Sequence, residues 1–275
     1  MERYFAAILG LIQGLAEFLP ISSSGHLSAM QNLLGMEKAD MLFEVLLHFA
    51  TLIAVCVAYR HDIAEMISEV IGFIRDLRHP RPGGDEPKPA RRLALMLVIA
   101  SLPLALVLPF RDYIDRLNNN TYFIGAAFIF TGAILFLSDR MRNGRKTEKN
   151  MSAGDAVKIG LVQALATLPG LSRSGSTITA GMATGLNRSF AVKFSFLLSL
   201  PAVLAATLLE LISAVRGGAD TTRFPAYLLG MVIAGVTGFF AIRAVRLLAR
   251  KGKFGQFCYY CFFIGILTIV LTIIL

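Results

Sequence analysis

GLIQGLAEFLPISSSG, residues 10–25, lies over GLVQALATLPGLSRSG, residues 160–175, and the reading of this pair decides the fold. Gly10, Leu11, Gln13, Leu15 and Ala16 meet Gly160, Leu161, Gln163, Leu165 and Ala166 directly. With a one-residue slip Leu19-Pro20 meets Leu168-Pro169, and Ser22, Ser24 and Gly25 then meet Ser172, Ser174 and Gly175. The likeness continues into FEVLLHFATLIA (43–54) over FSFLLSLPAVLA (194–205). Each stretch is apolar, yet Pro, Gly and Ser interrupt it too often for one smooth helix. Backbone freed from helical bonding at membrane depth is tolerated only under protein or beside a polar cavity. The pair therefore reads as two helix–loop–helix hairpins, 5–35 and 154–186, that enter a membrane and turn back.

The rest of the chain supplies the membrane. Hydrophobic residues make up 55% and charged residues 16%, with a mean hydropathy of +0.64, against about 25% charged residues in soluble domains. A bilayer core of about 30 Å takes roughly 20 apolar residues per helix. Six spans follow, near 42–59, 93–110, 121–138, 190–212, 224–245 and 254–275. The expected fold is an all-α polytopic membrane protein forming a single integral membrane domain over 1–275. Repeat 1 covers about 1–138 and repeat 2 about 154–275. Between the first two spans, 61–77 is amphipathic and HPRPGGDEPKP (79–89) reads as a flexible loop. No cleavable signal peptide is expected, because the first apolar stretch holds Gln13 and Glu17 and lacks a basic leader. Cys258 and Cys261 sit in an apolar span, where packing is the natural role for a C-x-x-C.

Basic residues set the orientation. The net charge is +9, but the cations lie in short loops beside lipid headgroups rather than on a nucleic-acid face. Loops 60–92, 139–153 and 243–253 hold seven, five and five Lys/Arg, and Lys158, Arg188 and Lys193 flank the second hairpin. The positive-inside rule assigns these to the cytoplasm. Arg3, Lys38, Arg111, Arg116, Arg216 and Arg223 fall on the other side. The first hairpin then enters from outside and the second from the cytoplasm. That is an inverted-topology repeat, in which half-helices meet near the membrane midplane around a ligand.

The polar residues of the two breaks carry the chemistry. Gln13 and Glu17 are four apart and share a helix face. Ser22, Ser23 and Ser24 follow Leu19-Pro20, where hydroxyls cap a new helix start, and Gly25-His26 opens that helix. A carboxylate at membrane depth is costly and faces a partner or cavity. In the second break, PGLSRSGST (169–177), Arg173 is the single cation among Ser172, Ser174 and Thr177. Hydroxyls, free N–H groups and a guanidinium at a helix start suit an anion, phosphate above all. Neither a P-loop nor a G-x-S-x-G elbow is present. Glu44, His48 and Glu210 are lesser candidates inside spans, as fit for packing or headgroup contact as for function.

With Q-x-x-x-E (Gln13 to Glu17), FLPISSSGH (18–26) and PGLSRSGST in order, the chain resembles the bacitracin-resistance family of undecaprenyl-diphosphate phosphatases over nearly its whole length. The family admits Glu or Gln at the position of Gln13, and Ser24 keeps the hydroxyl of a Thr often found there. The resemblance implies hydrolysis of undecaprenyl diphosphate, recycling the lipid carrier of peptidoglycan synthesis and conferring bacitracin resistance. It also implies the bacterial cytoplasmic membrane, an active site open to its outer face, and a divalent cation, Mg²⁺ or Ca²⁺, with Glu17 as a metal ligand and no organic cofactor. Glu17, Ser23, His26 and Arg173 are the expected catalytic residues; Gln13, Ser22, Ser24, Ser172, Ser174 and Thr177 the substrate-binding ones. Two routes stay open: Ser23 attacks with His26 as its base, or water attacks with Glu17 or His26 as base. Expected partners are the polyprenyl diphosphate, membrane lipids and a second copy as a homodimer, with no nucleic acid. The alternative is a transporter or flippase of a polyprenyl phosphate lipid, since inverted repeats of broken helices are transporter architecture.

Overall fold

The structure is a computed structural model, which describes residues 3–34, 41–78, 88–217 and 223–274. The segment HPRPGGDEPKP lies mostly outside those residues. All named elements among them are helical: α1 Arg3–Phe18, α2 Ser23–Leu34, α3 Met41–Ala58, α4 Arg60–Arg78, α5 Pro89–Ser101, α6 Arg111–Leu117, α7 Thr121–Ser138, α8 Ala153–Leu165, α9 Arg173–Ala183, α10 Arg188–Gly217, α11 Phe224–Arg250 and α12 Phe257–Ile274. Five helical stretches are long and apolar enough to cross a bilayer, and the bent pair 42–58 and 60–75 brings the number to six. These coincide with the six expected spans.

Two details depart from smooth spans. The 93–110 run is α-helical only to Ser101; Leu102–Phe110 winds as a 3-10 helix containing Pro103 and Pro109. Each proline lacks an N–H and crowds the preceding turn. At Tyr59 the chain bends by 83° between α3 and α4. The composition changes there from the apolar α3 to the Arg60-His61-Asp62 start of α4, so α4 turns away from the axis of α3.

Both helix–break–helix segments are present where the sequence pair places them, as α1–α2 and α8–α9. The first break passes through Ser22 at φ 65°, a left-handed backbone that a non-glycine residue rarely adopts. The second passes through Gly170 at φ 84°. The breaks touch each other: a Cβ on Gly25 would come 2.8 Å from Gly170 Cα, and one on Gly175 would come 3.1 Å from Pro20 Cβ. Each helix start thus faces the opposite turn.

The long arms pack with the same reciprocity. α1 lies along α11, and α8 lies along α5 and the 3-10 segment after it. A Cβ on Gly10 would overlap the Gly230 carbonyl of α11; one on Gly160, its repeat counterpart, would overlap the Ala100 carbonyl of α5. Small residues let membrane helices approach this closely. Gly10→Ala and Gly160→Ala should therefore each destabilise the protein by about 1–3 kcal/mol through overpacking. Thermal unfolding in detergent checks this, and an unchanged midpoint in both variants would mean the backbones are not in contact there.

Candidate active site

Glu17 stands at the end of α1 and is 8% exposed. Its Oε2 accepts hydrogen bonds from Gln13 Nε2 at 2.9 Å and from Ser23 Oγ at 2.8 Å. Its Oε1 accepts one from Arg173 Nη2, an ion pair that joins the two breaks. Helical spacing puts Gln13 and Glu17 on one face, and the turn at Ser22 brings Ser23 back over the same carboxylate. A buried carboxylate needs such compensation.

Gln13 Nε2 also lies 2.9 Å from His48 Nδ1 of α3. The amide nitrogen must face the Glu17 carboxylate, since its oxygen would be repelled there. The same His48 Nδ1 lies 3.4 Å from Glu17 Oε2, so the histidine stands against both the amide and the carboxylate. The sequence singled out His48 only as a lesser candidate; the structure places it on the wall of the site. Glu44 is not among the residues lining that wall, and the Glu210 side chain lies outside the described ones.

His26 is placed differently from the sequence expectation. Its Nδ1 bonds the Ser22 carbonyl at 2.7 Å and its Nε2 the Tyr260 hydroxyl at 2.6 Å. A carbonyl only accepts, so Nδ1 carries the hydrogen and Tyr260 donates to Nε2. The ring stacks on Tyr260 and meets Phe128 edge-on. The carboxylate bonded to Ser23 Oγ is that of Glu17, and His26 ties its ring to the Ser22 carbonyl of the turn. Three residues apart on a helix start suggested a Ser23–His26 pair, but the two side chains leave the turn in different directions. Tyr260 carries no sequence signal, being one aromatic in an apolar span.

The second break is organised by capping. Ser172 Oγ accepts from Gly175 N at 3.1 Å and lies 3.3 Å from Ser174 Oγ. Ser22 Oγ does the same for Gly25 N at 3.2 Å and sits 3.5 Å from Ser24 Oγ, the matching residues of the first repeat. Thr131 of α7 bridges the turn, accepting from Ser172 N and donating to the Gly170 carbonyl. Thr177 donates to the Arg173 carbonyl at 2.8 Å and contacts Ser195, so it supports the helix start from behind. Cys261 reaches the Pro20 carbonyl at 3.5 Å, a packing role in keeping with the sequence.

A cavity of about 290 Å³ opens over this cluster. Glu17, Ser22, Ser23, Ser24, His48, Gln163, Thr167, Ser172, Arg173 and Thr207 supply its polar wall, with apolar side chains such as Leu104, Leu171 and Val203 around them. Gln13 lies just beneath, reaching the cavity through Glu17. Arg173, with one nitrogen on Glu17, presents its remaining donors to an anion. The arrangement is a hydroxyl bonded to a carboxylate, beside a guanidinium and two helix starts: a site for attack on a phosphorus atom. Among the described residues no three His, Cys, Asp or Glu side chains gather as a metal set.

Comparison with known proteins agrees with this chemistry. The sequence model described as Bacitracin resistance protein BacA matches residues 6–267. An undecaprenyl-diphosphatase of Carboxydothermus hydrogenoformans is 38% identical over 98% of both chains. One of Methanobrevibacter smithii is 41% identical over 97% of this chain and 96% of its own. Undecaprenyl-diphosphatase 1 of Shouchella clausii is 43% identical over 79% of this chain and 77% of its own.

Proposed function

The chain belongs to the bacitracin resistance protein family, and from that premise we propose how the Glu17–Ser23–Arg173 cluster performs the family's reaction. The protein is an undecaprenyl-diphosphatase, a multi-pass membrane enzyme that hydrolyses undecaprenyl diphosphate to undecaprenyl phosphate and inorganic phosphate. This recycles the lipid carrier of peptidoglycan synthesis. The observation that carries the mechanism is the 2.8 Å hydrogen bond from Ser23 Oγ to Glu17 Oε2 at the foot of a cavity with a guanidinium on its wall.

Ser23 Oγ attacks the terminal phosphorus and passes its proton to Glu17. The bond from that phosphorus to the bridging oxygen breaks, and undecaprenyl phosphate leaves. Glu17 gives that proton up to the departing undecaprenyl phosphate. Water then attacks the phosphoserine, Glu17 taking its proton and returning it to Ser23 Oγ as the P–Oγ bond breaks, and inorganic phosphate is released. Arg173 neutralises the charge on the transferred phosphoryl group, the dominant need in phosphoryl transfer. Ser24, Ser172 and Ser174 add hydroxyls at the two helix starts, Ser22 and Thr177 hold those starts in place, and Gln13 and His26 keep Glu17 and Ser23 aligned.

A divalent cation fits the donor set in one form. Mg²⁺ is commonly held by one or two carboxylates together with substrate phosphates, and among the described residues Glu17 is the carboxylate on the cavity wall. Glu17 would anchor it, and the ion would supply further neutralisation of the diphosphate. The apolar wall around the cavity suits the first isoprene units of the lipid.

The enzyme sits in the cytoplasmic membrane with its cavity open to the outer side. The basic loops and the reciprocal packing of Gly10 and Gly160 support hairpins that enter from opposite faces. In a background without Cys56, Cys258 and Cys261, Lys149→Cys should resist an impermeant thiol reagent in intact cells, while Arg116→Cys should label. The reverse pattern would overturn the orientation. For the activity itself, purified protein in detergent micelles should release inorganic phosphate from undecaprenyl diphosphate with no gradient present. Lipid movement across vesicles without phosphate release would make it a flippase instead.

A further inference from the structure

Gln163 is 1% exposed, lines the cavity, and both atoms of its amide lack a hydrogen-bond partner among the described residues. Its counterpart Gln13 spends the same N–H group on Glu17 and His48. The difference is local. Four residues after Gln163, where the first repeat has Glu17, the second has Thr167, whose hydroxyl is bound to the Ala164 carbonyl at 2.7 Å. The second amide is thus kept and buried within the cavity wall, with its carboxylate partner replaced by a threonine whose hydroxyl is bound elsewhere. Thr207 of α10 repeats the observation: 5% exposed, on the same cavity wall, with no partner for its hydroxyl among the described residues. Buried donors without partners are costly and uncommon in native proteins. An anion drawn against that wall would give the Gln163 N–H and the Thr207 hydroxyl the acceptor they lack.

We infer that Gln163 and Thr207 form the subsite for the phosphate that stays on the lipid. This rests on the proposed reading in which Ser23, Glu17 and Arg173 handle the terminal phosphate. Among the described residues Gln163 makes no hydrogen bond to any of those three, yet it shares their cavity. A diphosphate has two phosphates to place, and the two matched Gln positions divide the work. Gln13 holds the carboxylate that activates attack, and Gln163 donates to the leaving phosphate in the position a carboxylate takes in the other half. Thr207 adds a hydroxyl donor from α10.

Gln163→Met keeps the length and removes both orphaned atoms; Thr207→Val does the same for the hydroxyl. Losing hydrogen bonds to a charged group should raise KM for undecaprenyl diphosphate about ten- to a hundredfold in the Gln163 variant, and about tenfold in the Thr207 variant. The change in kcat should be much smaller. Product inhibition by undecaprenyl phosphate should weaken by a similar factor, and inhibition by inorganic phosphate should not change. The thermal midpoint should hold or rise, because a buried unsatisfied amide is gone. Gln163→Glu, nearly the same size, should raise KM still more by repulsion and carries the test if the Met variant does not fold. Unaltered KM and unaltered product inhibition would overturn the subsite. So would weakened inhibition by inorganic phosphate, which would put Gln163 on the transferred group, or a lowered midpoint with unchanged KM, which would make it structural. Ser23→Ala measured alongside keeps the two readings separate: turnover in that variant would sink the catalytic assignment while the binding result for Gln163 stands alone.

Discussion

Ser23→Ala is expected to lower kcat by more than about a thousandfold, the scale on which enzymes lose turnover when an attacking hydroxyl is removed. The reason lies in the single short hydrogen bond to Glu17: without Oγ, the carboxylate has no nucleophile to deprotonate in the first step. Ser22→Ala and Ser24→Ala supply the scale for a serine that does not attack. Ser22 Oγ caps Gly25 N and Ser24 Oγ lies near Ser22 Oγ, and such contacts are worth about 1 kcal/mol each, or roughly tenfold at most. The ratio between Ser23→Ala and its two neighbours is therefore the informative number. If Ser23→Ala keeps a tenth of the wild-type kcat, the serine is a ligand and water is the nucleophile, with Glu17 as its base.

Arg173→Ala should abolish measurable turnover, a loss of about a thousandfold or more, since one cation both neutralises the phosphoryl group and orders Glu17. It also strands the Glu17 carboxylate, 8% exposed, without its countercharge, and breaking such a pair costs about 3–5 kcal/mol. A folding defect is separated from a catalytic one by Glu17→Gln combined with Arg173→Ala, which should regain the thermal midpoint and no activity. Arg173→Lys restores the charge but not the planar fork that reaches a carboxylate and a phosphate together. It should fold and recover little. Near-wild-type kcat/KM in the Lys variant would remove the fork from the account.

Much of this was legible because the decisive residues break a strong pattern. A Glu and an Arg inside apolar text have few physical explanations, and the paired Gln, Leu-Pro and Ser-x-Ser-Gly signals located both helix breaks. The six spans followed from apolar length alone. What the sequence hid is what depends on side-chain direction across the fold. Spacing pairs His26 with Ser23, whereas its ring is drawn to Tyr260, 234 positions away. His48 looked like one polar residue in a span; only the packing of α3 beside α1 brings it to Gln13. In the sequence Gln163 is a repeat match to Gln13; that its amide lacks a partner among the described residues is something no linear pattern reports. The 83° bend at Tyr59 has no proline or glycine to announce it.

The stereochemical course at phosphorus tests the central claim, that Ser23 takes the phosphoryl group before water does. Undecaprenyl diphosphate made with a chiral, oxygen-isotope-labelled thiophosphoryl terminus would be hydrolysed in water carrying the third oxygen isotope, and the configuration of the released thiophosphate determined. Two in-line displacements, through Ser23 and then water, predict net retention. Net inversion would show a single direct attack by water and would contradict the covalent route.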